Sequence, residues 1–194
     1  MDNYAVTLNR KTSETDISIT LKVAGNRQIN VNTGIGFFDH MLTSLAFWAG
    51  WDLDLNCTGD LEVDTHHTVE DVGLVLGQAF GKVALGRAEI ERFGAAFVPL
   101  DEALCRVIVD LSGRPYSVFR AEFNVERVGV FETAMTGHFF RSFAQEARLN
   151  LHAGCLYGEN AHHIIESLFK ALGLALRAAL RERTGGVAST KGVR

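Results

Sequence analysis

Cysteine is scarce in this sequence. Cys57, Cys105 and Cys155 are odd in number, widely spaced and form no CxxC pair. That excludes a disulfide framework and a cysteine-based structural zinc site, and leaves reduced thiols that act as small apolar side chains. Net charge is scarce as well: 19 Lys plus Arg against 23 Asp plus Glu give −4 at neutral pH, which offers no field for holding a nucleic-acid backbone. No segment approaches the roughly 20 apolar residues of a membrane span, and the polar start "MDNYAVTLNRKTSETD" lacks the apolar run of a signal peptide. The expectation is a soluble, cytoplasmic protein whose partners include neither nucleic acid nor membrane. At 194 residues, 47% of them hydrophobic, the chain can bury a core as one compact domain or two small packed units.

Several familiar catalytic signatures are also missing. "TGIGFFD" (33–39) has glycines but no dinucleotide fingerprint, and no Walker lysine follows it. It reads as a tight turn that sets Asp39 and His40 at a helix start. The zinc-peptidase order H-E-x-x-H is absent; the order here is H-H-x-x-E, in "DTHHTVED" (64–71) and again in "NAHHIIES" (160–167).

Hydrophobic periodicity places these motifs. "DISITLKVAG" (16–25) alternates as a strand, and "QINVNTGIG" is a second strand entering the glycine turn. "FFDHMLTSLAFWAG" (37–50) has helical spacing closed by Gly50, and "WDLDLNCTGDLEVD" (51–64) alternates again. "THHTVEDVGLVLGQAFGKVALG" (65–86) is a second helix, with Thr65 in the position of an N-cap. Phe37, Phe38, Phe139, Phe140 and Phe169 are read as core.

The same order then repeats. "ETDISITLKVAG" (14–25) matches "EALCRVIVDLSG" (102–113), "DHMLTSLAF" (39–47) matches "GHFFRSFAQ" (137–145), and "HHTVEDVGLVLGQAF" (66–80) matches "HHIIESLFKALGLAL" (162–176). Glu14 to Glu102 is an offset of 88, His40 to His138 of 98, and His66 to His162 of 96, differences that small loop insertions explain. The chain is therefore read as an internal duplication of class α/β (α+β), with a first unit at 1–93, a second at 94–184, and the two packed as one body. "RAEIERFGAAFVPL" (87–100) reads as the connection between them, punctuated by Gly94 and Pro99. The tail, 185–194, has two readings: a frayed end, or a segment that orders when it closes on a ligand.

Six of the seven histidines fall at paired positions of the repeat: His40 and His138, His66 and His162, His67 and His163. Glu70 and Glu166 pair as well; His152 stands outside and is read as satisfying its hydrogen bonds locally. Imidazole and carboxylate are ligands for borderline and hard divalent ions. At about 100° per residue, His66 and Glu70 share one helix face and can grip a single ion, whereas His67 points elsewhere. Two sites follow: His66, Glu70, His138 and His163 in one; His162, Glu166, His40 and His67 in the other. Three imidazoles and a carboxylate leave an octahedral ion two open positions, which marks a catalytic site. Such donors favour Mn(II), with Fe(II), Co(II), Ni(II) and Zn(II) open from sequence alone. Arg92, Arg114, Lys170 and Lys191 are scattered basic residues that together could hold a phosphate.

On "RKTSETDI", "TGIGFFDHML", "GDLEVDTHHTVEDVGLVLG", "IERFG", "DLSGRP", "HFFRS", "NAHHIIESLFKAL" and "STKG", spread over nearly the whole chain, the sequence resembles the imidazoleglycerol-phosphate dehydratase family, lyases of histidine biosynthesis. The resemblance implies a duplicated fold of the kind seen in domain 2 of ribosomal protein S5. It also implies large homo-oligomers of 24 subunits with active sites between subunits, and two Mn(II) ions per active site held by His40, His66, His67, Glu70, His138, His162, His163 and Glu166. It assigns Glu14 to acid/base chemistry at the reacting carbons, and Arg92, Arg114, Lys170, Ser189, Thr190 and Lys191 to substrate, mostly its phosphate. The substrate so implied is D-erythro-imidazole glycerol phosphate, dehydrated to imidazole acetol phosphate. The sequence departs from the family pattern at Thr43, Ser44, Trp48 and Leu100, none of them a metal ligand. The competing readings are a metal-storage or structural metalloprotein, which leaves the basic residues and "STKG" unexplained, and a di-metal hydrolase, which needs two carboxylate-bridged ions about 3.5–4 Å apart.

Overall fold

The computed structural model describes residues 5–87, 89–184, 186, 188 and 189; Thr190 and Lys191 lie outside the described residues. The first half contains β1 (Ala5–Lys11), β2 (Thr15–Lys22), β3 (Ile29–Asn32), α1 (Gly36–Ala49), β4 (Asp52–Gly59) and α2 (His66–Leu85). The second contains β5 (Phe93–Leu100), β6 (Ala103–Asp110), β7 (Tyr116–Arg120), the short β8 (Arg127–Val128) and β9 (Phe131–Glu132), α3 (Ala134–Ala147), β10 (Asn150–Tyr157) and α4 (Ala161–Ala179). Each half has one four-stranded sheet, in the orders β1-β2-β4-β3 and β5-β6-β10-β7, so the duplication read in the sequence is repeated strand for strand.

Strand alternation decides which face of each sheet is covered. In β2, Ile17, Ile19 and Leu21 are buried while Asp16, Ser18 and Thr20 face out; in β6, Cys105, Val107 and Val109 are buried. A one-residue slip would turn these apolar sets to solvent, so the register is set by burial. The covered faces receive the helices: α1 lies on β3, α2 on β1, β2 and β4, α3 on β7 and β10, and α4 on β5, β6 and β10.

The halves are joined helix to helix, and glycines determine how closely. A Cβ on Gly77 of α2 would stand 2.5 Å from the Phe143 carbonyl oxygen of α3, and one on Gly73 would crowd Ser142 and Phe139. Gly173 of α4, 96 residues after Gly77, meets Leu45 and Ala49 of α1 in the same way, its Cβ falling 2.5 Å from the Leu45 carbonyl oxygen. Each long helix therefore packs backbone-close on the short helix of the other half, and the helices fill the layer between the two sheets. Phe139 of α3 stacks on Phe169 of α4 with centroids 5.0 Å apart, and Phe38, Phe139, Phe140 and Phe169 are fully buried. Phe37, read as core, is only half-buried; its ring stands edge-on to His162, centroids 5.0 Å apart.

Several local expectations need correction. Residues 93–100 are strand β5 rather than part of a connection. Gly94 lies in that strand because the α4 backbone at Ala175 leaves no room for a Cβ, and Pro99 is tolerated because β5 is an edge strand. Strand β1 was not legible, since Val6 is its one buried residue. The rise in offset from 88 to 98 comes from the segment between β7 and α3, which carries β8 and β9; the matching β3–α1 connection has no such hairpin. Thr65 occupies the N-cap position of α2, but its side chain makes no capping bond. Asp64 Oδ1 accepts from the His66 N–H at 2.7 Å instead, and Asn160, 96 residues later, accepts from the His162 and His163 N–H groups at 2.9 and 3.4 Å. The glycine turn is as read: Gly34 has φ +79°, and Asp39 Oδ1 accepts from the Thr33 N–H and hydroxyl at 2.8 and 2.6 Å. Among the described residues, no helix is long and apolar enough to cross a membrane.

Candidate metal centres

The helix crossings carry the histidines with them. His66 and Glu70 lie one turn apart on α2, and His138 of α3 reaches the same point. His66 Nε2 is 3.2 Å and His138 Nε2 3.0 Å from Glu70 Oε2, with the two rings 4.5 Å apart. At the pseudo-equivalent crossing, His162 and Glu166 of α4 meet His40 of α1. His162 Nε2 is 3.1 Å and His40 Nε2 3.4 Å from Glu166 Oε2. In both groups two imidazole nitrogens converge on one carboxylate oxygen, with all ligand atoms within 4.8 Å of one another. This is the donor set of a divalent ion of borderline or hard character. Each group joins three of the four residues that the sequence assigns to it.

The fourth residue is elsewhere in both cases. His67 turns about one residue's rotation away from His66, and its Nδ1 pairs with Asp60 Oδ2 at 3.0 Å while its Nε2 lies 3.7 Å from Glu14 Oε1. His163 Nδ1 pairs with Glu102 Oε2 at 2.7 Å, its Nε2 3.8 Å from Asp101 Oδ2. Within one chain, His163 does not join His66, nor His67 join His162. Glu14 and Glu102 are repeat equivalents and stand by repeat-equivalent histidines, so the duplication extends to this outer pair. Asp60 and Asp101 escape sequence reading: Asp60 sits in "GDLEVD", where spacing does not separate it from Glu62 or Asp64.

The charges around the groups follow from these contacts. The hydrogen bond to Asp60 raises the His67 pKa, and that to Glu102 raises the His163 pKa, in each case against an opposing effect of burial. Glu102 is held down to about 2 by His163 first and then by the Asn160 and Glu159 N–H groups. For Glu166 burial opposes ionisation, but the hydrogen bond and charge of Lys170, with help from His40 and His162, hold the carboxyl below its usual value. Lys170 Nζ donates to Glu166 Oε1 at 2.8 Å, leaving Oε2 to face the two imidazoles.

The remaining sequence-predicted residues are spread more widely. Glu14 is about half exposed at the entrance to β2, beside His67. Arg92 has φ +68° and makes a two-pronged pair with Asp110, Nε to Oδ1 at 2.6 Å and Nη2 to Oδ2 at 3.0 Å. Its Nη1 donates to the Ala188 carbonyl at 3.1 Å, so it ties the segment beside Ser189 to β5 and β6. Arg114 is exposed in the turn after β6, its carbonyl held by Asn150 Nδ2 at 2.6 Å. His152 faces solvent from β10, and Trp48 lies partly exposed on α1 against Phe47. Cys57 and Cys105 are buried thiols that belong to neither group; burial, before the nearby carboxylates, pushes Cys57 up to about 12.

Known proteins share this sequence and fold. The profile of the imidazoleglycerol-phosphate dehydratase family matches residues 33–176. The imidazoleglycerol-phosphate dehydratase of Acetivibrio thermocellus is 53% identical over 189 residues, covering 96% of each chain. That of Gluconobacter oxydans is 52% identical over 189 residues, with 96% of each chain covered. The crystal structure of the Staphylococcus aureus enzyme superposes with a TM-score of 0.85 at 37% identity, over 92% of this chain and 99% of that one. The Pyrococcus furiosus structure, in complex with (S)-C348, gives 0.84 at 38% identity over 96% of this chain and 100% of that one. The duplicated sheets, the paired H-H-x-x-E helices and these matches place the chain in the imidazoleglycerol-phosphate dehydratase family, hydro-lyases of histidine biosynthesis.

Proposed function

We propose that this chain dehydrates D-erythro-imidazole glycerol phosphate to imidazole acetol phosphate in the cytoplasm, using Mn(II) held at the two His-Glu-His groups and Glu14 as the acid/base residue. The observation that carries this reading is the convergence of His66, Glu70 and His138 on one point, and of His40, His162 and Glu166 on another, in a chain of this family. The donors fit the ion: both groups are nitrogen and oxygen only, part-exposed, with their ligand atoms within 4.8 Å of one another. A divalent ion bound there supplies Lewis acidity toward the imidazole of the substrate and stabilises negative charge delocalised into its ring.

The chain's own residues do the rest. Glu14 is exposed and anchored near His67 Nε2, so its carboxylate is accessible to accept a proton from carbon and return it to the departing hydroxyl or the enol. Lys170, Arg114 and Arg92, with Ser189, Thr190 and Lys191, hold the phosphate; the Arg92 bond to the Ala188 carbonyl, which brings Ser189 toward Arg92, supports this assignment. Holding the phosphate fixes the three-carbon chain relative to Glu14, converting binding into orientation.

His67 and His163 complete the ligand sets across copies. Both are part-exposed and turned away from the groups in their own chain, which supports a homo-oligomer, of 24 subunits by resemblance, with active sites between subunits. The deciding experiment loads the protein with Mn(II), measures bound metal, adds imidazole glycerol phosphate and follows the enol or ketone product. A storage protein would hold metal without turnover, and a hydrolase would release phosphate; either result overturns this reading.

A further inference from the structure

At the far end of the helix layer from the His-Glu-His groups lies a cavity of about 650 Å³ where the C-termini of α1, α2 and α4 come together. Arg27, Arg87, Arg177 and Arg181 line it, with Glu182 as the carboxylate in its wall. It is separate from the catalytic groups: fifteen residues of α4 between His162 and Arg177 span roughly 22 Å.

The bland account is that arginines gather there to balance helix dipoles. Each helix C-terminus carries roughly half a negative charge, so three helix ends and Glu182 offset about two and a half of the four guanidinium charges. Roughly one and a half positive charges are left over. Arg27 serves the end of α1 directly, its Nε donating to the Phe47 carbonyl at 3.1 Å and its guanidinium covering the Phe47 ring, and Arg177, in the last turn of α4, stands beside Gly50, the C-cap of α1, without bonding it. Among the described residues, the guanidinium groups of Arg87, Arg177 and Arg181 have no hydrogen bond or ion pair. The duplication provides an internal control. The positions 96 residues before Arg177 and Arg181 are Gly81 and Leu85, and there Gly81 packs directly against Glu146 and Ala147 of α3. That corner has cations of its own, Lys82 in the last turn of α2 and Arg148 at the C-cap of α3, whose Nε donates to the Gly113 carbonyl at 3.1 Å, but α2 places none at the positions that Arg177 and Arg181 hold in α4.

We propose that this cavity is a second anion site, taking a phosphate monoester or diphosphate. Its volume is that of a small-molecule pocket. Guanidinium forks from α4 and from the end of α2 match the oxygens of a phosphoryl group, and a dianion meets the surplus charge.

The test is calorimetric titration of the metal-loaded full chain with glycerol 2-phosphate, which carries the phosphate but no imidazole. The expected result is saturable binding that weakens at least about tenfold in R177Q/R181Q, the size of one lost charge-assisted hydrogen bond or more. R177K/R181K, which keeps the charge, should retain most of the binding, and dehydratase turnover in R177Q/R181Q should be unchanged. Three outcomes overturn the proposal: no saturable binding; binding that R177Q/R181Q leaves intact and Lys170→Met removes, which places the anion at the substrate-phosphate residues; or no binding together with a change of sedimentation in R177Q/R181Q, which gives the cavity to carboxylates of another copy.

Discussion

Lys170 Nζ sits 2.8 Å from Glu166 Oε1, whereas the position 96 residues earlier, one turn beyond Glu70, is Leu74. The two His-Glu-His groups are otherwise repeats of each other, so this one lysine makes them electrostatically unequal. Among the described residues the Glu70 carboxylate meets only imidazoles, whereas that of Glu166 shares its charge with an ammonium.

Mn(II) should therefore bind in two classes, the His66-Glu70-His138 group filling first. Lys170→Met should tighten the weaker class by about tenfold, the size of one moderate charge interaction in a part-exposed site. Titration followed by the paramagnetic signal of free Mn(II) checks this; identical sites before and after the substitution would refute it.

Glu14→Gln should lower kcat by a factor of about 10² to 10⁴, the usual contribution of a positioned acid/base group. Metal content measured by emission spectroscopy should be unchanged, because Glu14 belongs to neither ligand group. Loss of metal with loss of turnover would assign Glu14 a different role.

His67→Gln and His163→Gln should each weaken metal binding and assembly together, since each histidine is proposed to complete a group on another copy. Sedimentation with and without Mn(II) reads both. A variant that keeps full metal affinity and full size would show that three ligands suffice.

The metal-free protein should show a pH signature at His163. Its pKa is raised above the ordinary 6.5 by Glu102, so the pair's contribution through His163 is complete below 6.5 and fades as pH rises through the raised value. Glu102 is lowered from 4.5 to about 2, so its contribution is present above 4.5 and lost as pH falls toward 2. The pair therefore helps the metal-free fold most between about pH 4.5 and 6.5. NMR titration of the imidazole C–H should give a midpoint above 6.5 that falls in Glu102→Gln; an unmoved midpoint would remove Glu102 as the cause.

Gly77→Val and Gly173→Val should each cost about 1–3 kcal/mol or more, because a side chain there must push back the carbonyl of Phe143 or Leu45. Thermal denaturation of the metal-free variants measures it. Equal losses at both positions would also show that the two crossings are energetically alike.

Much of the fold was legible because burial leaves periodic marks. Ile17, Ile19 and Leu21 announce β2 by alternation, and the matched H-H-x-x-E segments announce α2, α4 and the duplication together. Where burial is slight the mark disappears: β1 hides one side chain, Val6, and the β8–β9 hairpin lies in an insertion without a counterpart in the first half. The N-cap position of α2 was legible at Thr65, but the capping bond comes from Asp64, because two good caps stand side by side and only backbone conformation decides which of them reaches the His66 N–H.

By itself the sequence determined that His66 shares a face with Glu70 and His162 with Glu166, since helix pitch makes residues four apart neighbours. It also determined that His67 and His163 must look elsewhere. What they look at was decided by tertiary structure alone: Asp60 and Glu14 for one, Glu102 and Asp101 for the other. The third residue of each group comes from the opposite half through the α2–α3 and α1–α4 crossings, whose closeness depends on Gly77 and Gly173. Local spacing is a property of one helix, whereas a ligand supplied across a helix crossing exists only once both backbones have been packed.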